Sequence, residues 1–531
     1  MKFRIFCGLL VSSVLVSAAT PGELRFSIPA APRTFNPLEV SDQSSELIRY
    51  LTGGVLVRVN RQTGEIRPEL AASWEVTAGG RTVTFHLRPG LKFSDGQPLT
   101  AADVARTLNE ALDPKRAAPV GDLFRSQQGN PEVRVLSPLD IQVHYARPKA
   151  AIDSLFDSLA VMPPNSPKLP PSAGPFFVTE YRPGEYVQLS RNPNYWKCDE
   201  HGHHLPYLNS IRIDIQPNRD IEMTRFLRGE YQFINQPDVE SFERVRREQP
   251  AAALNSGPSL DSEFLWFNQT PSAAVPEWKQ KWFESPAFRH AVSLSIRRDD
   301  IARIVYRGHA HPASGPVSPS NRLWFNTSLN PLPFDADKAK KLLTAEGFTL
   351  QRDVLRDRGG HEVEFSLITN SDNQLRREMA AVIQDDLRRI GIRVNIVALD
   401  FGSLIERITK THQYEGALLG LANVEADPSE EMNVWLSSGE MHAWRPLQKS
   451  PATAWEARID ELELAQASEP SPVLRRKMVD EFQRVVVDQE PLIYLVNPDY
   501  LAAVSPSLRG TKPAPAAPQI LWNIEWLRLG N

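Results

Sequence analysis

Residues 363–399 read VEFSLITNSDNQLRREMAAVIQDDLRRIGIRVNIVAL, and this stretch decides the fold class. VEFSLITN (363–370) is a short apolar, β-branched run with strand character. NQLRREMAAVIQDDLRRI (373–390) repeats its apolar positions at helical spacing, and Gly391 stands where a helix ends. IRVNIVAL (392–399) reads as a second strand. Strand, helix and strand in so short a run predict a βαβ unit with parallel strands, because the crossover helix returns the chain to the same end of the sheet.

Outward from this unit the pattern is mixed. ELRFSIPA (23–30), FFVTEY (176–181), EYVQLSRN (185–192) and SIRIDIQP (210–217) read as strands, and ELIRYLTGGVLVRVN (46–60) as a helix running into a strand at Gly53 and Gly54. TVTFHLR (82–88) alternates like one arm of a hairpin, and Thr100 caps a helix whose first turn carries Asp103. A proline-rich run, VMPPNSPKLPPSAGPF (161–176), marks a boundary between substructures. SPAFRHAVSLSIRRDDIARIVYRG (285–308) predicts one long helix, with Ser285 as cap, Pro286 at the first position and Gly308 as stop. Asp335 and Gly347 bracket another. No tandem repeat of solenoid type occurs.

At 531 residues the chain exceeds one compact core, and 41% hydrophobic with 23% charged residues describe a globular protein. The formal charge of −4 gives no basic surplus for a phosphate backbone, so nucleic-acid binding is disfavoured. MKFRIFCGLLVSSVLVSAAT (1–20) has Lys2 and Arg4 ahead of an apolar stretch ending in small residues. This is the layout of a secretory signal peptide, cleaved after Ala18 or Ala19, and it places the mature protein in the periplasm. The apolar span is short for a membrane anchor, and Cys7 lies too early to be a lipoprotein cysteine. Cleavage removes two of the 60 basic residues, leaving 58 against 64 acidic ones. It also leaves Cys198 as the single cysteine, so no internal disulfide is expected.

Catalytic motifs are missing: no GxSxG elbow, no glycine-rich phosphate loop, and no second histidine after HEVEF (361–365). The acidic pairs Asp299/Asp300 and Glu430/Glu431 read as solvated helix ends. YWKCDEHGHHLPYLN (195–209) gathers Cys198, His201, His203 and His204, side chains that bind zinc and similar ions, and keeps open the alternative of a metal-binding protein. EFLWFNQ (263–269) is a strand with Phe264 and Trp266 on one face and Leu265 and Phe267 on the other. Either both faces are core, or one lines a ligand cleft.

RPELAASWEV (67–76), TFHLRPGLKFSDGQPLTAADV (84–104), SAGPFFV (172–178), LSRNPNYW (189–196), RGEYQF (228–233), SPAFRHAVSLSIRRDDI (285–301), FDADKAKKLLTAEGF (334–348) and LIYLVNPDYL (492–501) occur in this order. They resemble extracellular solute-binding protein family 5, the oligopeptide- and dipeptide-binding proteins that serve ABC importers, over nearly the whole mature chain. The resemblance implies an α/β, two-lobed periplasmic binding protein fold of class II type with an extra α+β subdomain on the first lobe. Lobe I would comprise 20–52, 172–268 and 490–531, the subdomain 53–171 and lobe II 269–489, with hinge crossings near 268 and 490.

It further implies binding without bond-making: a monomer takes a small, peptide-like solute into the cleft and docks on an inner-membrane ABC permease. The ATPase would be a separate chain, since this one lacks a P-loop, and no cofactor is implied. The cleft residues carried over from the family pattern are Ser41, Asp42, Gln43, Trp266, Asn268 and Phe401, with Val424, Glu425 and Asp427 in the loop GLANVEADPSEEMNVW (420–435). Peptide binders of the family typically hold the ligand's ammonium with an aspartate four residues before a proline. The position four before Pro428 is Val424, which cannot neutralise a buried ammonium. Glu425 or Asp427 would substitute in a shifted register, and a non-peptide ligand such as an opine or an oligosaccharide stays open. In the family the Cys198–His204 connection is a polar turn with glycine, matched here by Gly202, and not a ligand site. A secreted hydrolase is the remaining rival.

Overall fold

The computed structural model describes residues 22–125, 129–271, 273–422 and 427–530. Within it the segment read first forms strand Glu364–Asn370, helix Gln374–Arg388 and strand Arg393–Leu399. The strands pair in parallel from Glu364 opposite Arg393 to Asn370 opposite Leu399. Asn373 caps the helix by accepting from the Arg376 amide at 3.0 Å. Gly391 turns the chain at φ +85°, where a Cβ would sit 2.8 Å from the Leu355 amide nitrogen.

This unit forms one edge of an eight-stranded sheet. Its path runs Phe233–Asn235, Ile493–Val504, Ser262–Phe267, Gly416–Leu421, Glu364–Asn370, Arg393–Leu399, and Ala253–Pro258 and Ala310–Pro312 also pair with Ile493–Val504. A second sheet orders Glu23–Ile28, Ser210–Ile215, Tyr186–Arg191 and Phe176–Arg182, its first pair parallel and the rest antiparallel. A third, wholly antiparallel sheet orders Ala71–Thr77, Thr82–Leu87, Asp140–His144 and Glu132–Ser137. Helix Ala101–Leu112 packs on this sheet, and Thr100 with Asp103 makes the expected capping box. The result is a two-lobed α/β fold carrying an additional α+β subdomain.

The strand Ser262–Phe267 pairs along its whole length with Leu421–Gly416, Ile493–Val496 pairs with Glu263–Leu265, and Val496–Pro498 pairs with Ala310–Pro312. From Asp499 onward the same long strand pairs with Ala253–Pro258 and Phe233–Asn235 instead. By this pairing Ile493–Val504 is shared between Ser262–Phe267 and Ala310–Pro312 over its first residues and Ala253–Pro258 and Phe233–Asn235 over its last. The helix expected over 285–308 is interrupted: it runs Pro286–Leu294, and helical turns resume over Arg298–Asp300 and Ile301–Val305. At the break the Arg298 guanidinium donates to the Ser293 carbonyl at 2.9 Å and to the Tyr494 carbonyl at 2.8 Å, and Asp386 accepts from the Arg297 amide at 2.9 Å. Tertiary partners outweigh local helix propensity here.

Both faces of Ser262–Phe267 are buried. Leu265 and Phe267 join Phe283, Phe288 and Phe365, with the Phe267 and Phe283 rings stacked at 4.7 Å. Phe264 and Trp266 join Tyr414, Trp435, Trp444 and Tyr494 on the other side. Each such ring contributes about 2–3 kcal/mol by leaving water, so this strand is the centre of the second lobe's core.

Candidate functional site

Segment 53–171 meets segment 269–489 at a seam. The Ala150 amide donates to the Ala467 carbonyl at 2.9 Å. Gly80 lies so close to Pro470 that a Cβ would come within 2.8 Å of the ring, and Gly64 packs likewise on Leu323. Lys149, lowered in pKa by burial, has Glu430 opposing that shift across the seam. Behind these contacts lies a pocket lined by Leu260, Val317, Trp324, Asp427, Glu431, Trp435, Glu463 and Phe482, among others. Leu323 precedes Trp324, Glu430 precedes Glu431, and Ala467 lies about one helical turn beyond Glu463, so the pocket sits directly beneath the seam.

Its electrostatics are set by three carboxyl groups and one guanidinium. Arg475 donates to both oxygens of Asp427 in a bidentate pair, 2.7 Å on one arm, and its guanidinium lies 4.8 Å from the Trp324 ring centre. Asp427 is therefore already neutralised. Glu431, half-buried, accepts from Trp435 Nε1 at 3.0 Å, and Glu463, 1% exposed, accepts from Gln466 Nε2 at 3.1 Å. Burial pushes Glu431 up to about 7, with the Trp435 bond opposing. Burial likewise pushes Glu463 up to about 8, against the Gln466 bond and with Glu431 adding to the rise.

Glu456 lies about two turns earlier on the same helix, Ala454–Gln466, and goes the other way. Burial opposes the shift, but hydrogen bonds from His442, Gln448, Trp444 and Thr453 bring it down to about 2. The contrast isolates what Glu431 and Glu463 lack, which is a set of donors.

The expected cleft residues do not converge on this pocket, and Asp427 alone among those described lines it. Val424 and Glu425 lie outside the described residues. Asp42 caps helix Gln43–Thr52 by accepting from the Ser45 amide at 2.9 Å, with Ser41 and Gln43 exposed beside it. Trp266 donates to the Tyr414 hydroxyl at 3.1 Å, and Phe401, 49% exposed, opens helix Phe401–Glu406. Asn268 is fully buried: it donates to the His412 and Tyr414 carbonyls, both at 2.9 Å, and accepts from the Thr270 amide at 3.0 Å. Asn268→Ala strands these backbone groups and should lower stability by about 2 kcal/mol, read as a fall in the urea midpoint.

Sequence reasoning passed over Trp324, Glu463 and Trp435, and its reading of Glu431 as a solvated helix end is overturned by the Trp435 bond and the pocket. The four-residue spacing of Glu431 and Trp435 was the available signal. In the Cys/His connection, Cys198 Sγ lies 3.4 Å from His204 Nδ1, while His203 turns to Asp199 at 2.9 Å. Among the described residues no three His, Cys, Asp or Glu side chains are grouped to hold a metal ion. Nor is any described helix long and apolar enough to cross a membrane.

Comparison with known proteins gives this geometry a family. The chain is 24% identical to the oligopeptide-binding protein AppA of Bacillus subtilis over 97% of its own length and 94% of that protein's. It is 24% identical to di/tripeptide-binding protein 2 of Pseudomonas aeruginosa, covering 96% of each. The crystal structure of NikA from Brucella suis in complex with Fe(III)-EDTA superposes with a TM-score of 0.80 at 20% identity, over 96% of this chain and all of that one. The description "Bacterial extracellular solute-binding proteins, family 5 Middle" matches residues 65–443, most of the chain, and the protein therefore belongs to family 5 of the bacterial extracellular solute-binding proteins.

Proposed function

We infer that this protein is the solute-capturing component of an ABC importer and that it takes peptide-like solutes into the cleft between its lobes. The observation that carries this reading is the family match over 65–443, in company with peptide-binding relatives aligned along almost their entire lengths. In this reading the protein is a periplasmic monomer released by cleavage at Ala18 or Ala19, it makes and breaks no bonds, and it hands its ligand to a permease driven by a separate ATPase. Lobe I takes 20–52 and 172 to about 258 with the C-terminal segment, the subdomain takes 53–171, and lobe II takes the remainder. Distinct buried clusters around Phe85, Phe176 and Phe365 support that division, with Val239, Phe242 and Leu501 packing across it into the Phe365 cluster.

A thermal-shift screen of short peptides, opines, oligosaccharides and nickel tests the reading. A peptide at about a hundredfold its Kd adds about 2.7 kcal/mol to the folded state and should raise Tm by about 2–3 °C. An opine, a sugar or nickel that shifts Tm while every peptide fails would overturn the peptide class.

A further inference from the structure

The pocket under the seam holds more negative capacity than its own cations answer. Arg475 is matched by Asp427, and the seam cation Lys149 faces Glu430 and donates to the Leu123 carbonyl. Glu431 and Glu463 each accept one hydrogen bond from a neutral donor. Among the described residues neither makes an ion pair, and the second oxygen of each accepts no hydrogen bond. A buried carboxyl so placed is costly unless something completes it. Leu260, Val317, Trp324 and Phe482 form an apolar approach to these two groups. Apolar walls ending in paired acids complement a chain of methylenes ending in a cation.

We propose that this pocket is a subsite for a cationic group carried on an unbranched aliphatic stem, of the kind found in a lysine side chain, with Glu431 and Glu463 as its counter-ions. The proposal rests on the peptide reading and narrows it: one position of the bound peptide is basic. Burial raises both carboxyls, so at neutral pH Glu463 is mostly protonated and Glu431 about half, and Asp427, Arg475 and Tyr494 are the other titratable groups facing them. Entry of the cation therefore expels protons, which an uncharged ligand of the same shape does not do.

The test uses alanine tetrapeptides carrying lysine, or norleucine, at each position in turn, titrated calorimetrically into the intact protein in buffers of different ionisation enthalpy. At one position lysine should bind at least tenfold tighter than norleucine and release protons. Both effects should shrink, the preference to below threefold, in the isosteric variants Glu463→Gln and Glu431→Gln, whose folding is checked by circular dichroism. Norleucine binding as well as lysine at every position, or a lysine preference unchanged in both variants, would overturn the subsite while leaving peptide capture standing. If no tetrapeptide of either kind binds, the subsite falls together with the peptide reading.

Discussion

Replacing Arg289 by methionine should cost the second lobe about 4 kcal/mol, the largest loss expected from any single change considered in this protein. The guanidinium is 1% exposed and donates five hydrogen bonds, to the carbonyls of Gln489, Glu490, Phe283 and Glu284, at 2.7–3.1 Å. Those carbonyls sit at the ends of helices Glu277–Glu284 and Pro472–Gln489, whose last turns have no partners of their own. Burial pulls the Arg289 pKa down to about 10, against the attraction of Glu490, so the group is still charged at neutral pH. Methionine fills the space and leaves four buried acceptors unmet, whereas lysine restores a charge without the planar fork and should lose about half as much. Guanidinium denaturation followed by tryptophan fluorescence reads both, and a loss below about 1 kcal/mol in Arg289→Met would contradict the assignment.

The second large effect is on pH dependence. Glu463 is raised in the folded state to about 8 and Glu431 to about 7, so between their unfolded pKa near 4.5 and these values the native state binds more protons than the unfolded one. Stability must then fall as pH rises from about 5 to 8, by at most about 1.4 kcal/mol per pH unit from the fully buried Glu463. Glu456, lowered to about 2, has the opposite sign: its contribution is complete above pH 4.5 and is lost as pH falls toward 2. Urea midpoints measured from pH 4 to 9 should therefore peak on the acidic side of neutrality. Glu463→Gln should flatten the alkaline limb and leave the acid limb alone, and a variant with an unchanged alkaline limb would place the titrating groups elsewhere.

The strand, helix and strand at 363–399 were legible because their periods change cleanly and Gly391 separates them. The broken helix after Leu294 was not, since its interruption is made by Arg298 and Asp386 through contacts formed only in the folded chain. A strand buried on both faces, as Ser262–Phe267 is, carries no alternation to say which sheet it joins. The pocket acids were hidden by their setting: on helix Ala454–Gln466 the buried residues are Glu456, Ile459, Leu462, Glu463 and Gln466, so a polarity pattern cannot distinguish inside from outside. The cap residues Ser285 and Asp335, whose signals are local, could both be read from short windows.

The strand Ile493–Val504 belongs to both halves of the molecule, paired with Ser262–Phe267 over its first residues and with Ala253–Pro258 and Phe233–Asn235 over its last. Mechanically it is a torsion bar clamped at both ends. β-ribbons tolerate a spread of twist of many degrees per strand without losing their ladders, so a rotation between the clamps breaks no rung of either sheet. What resists separation is then the Ala150–Ala467 bond and the glycine-backed contacts of the seam, together with the Glu243–His309 pair at 2.7 Å and the packing of Val239 and Phe242. A free energy of a few kcal/mol, the amount one ligand supplies, is enough to wind such a bar from one setting to the other.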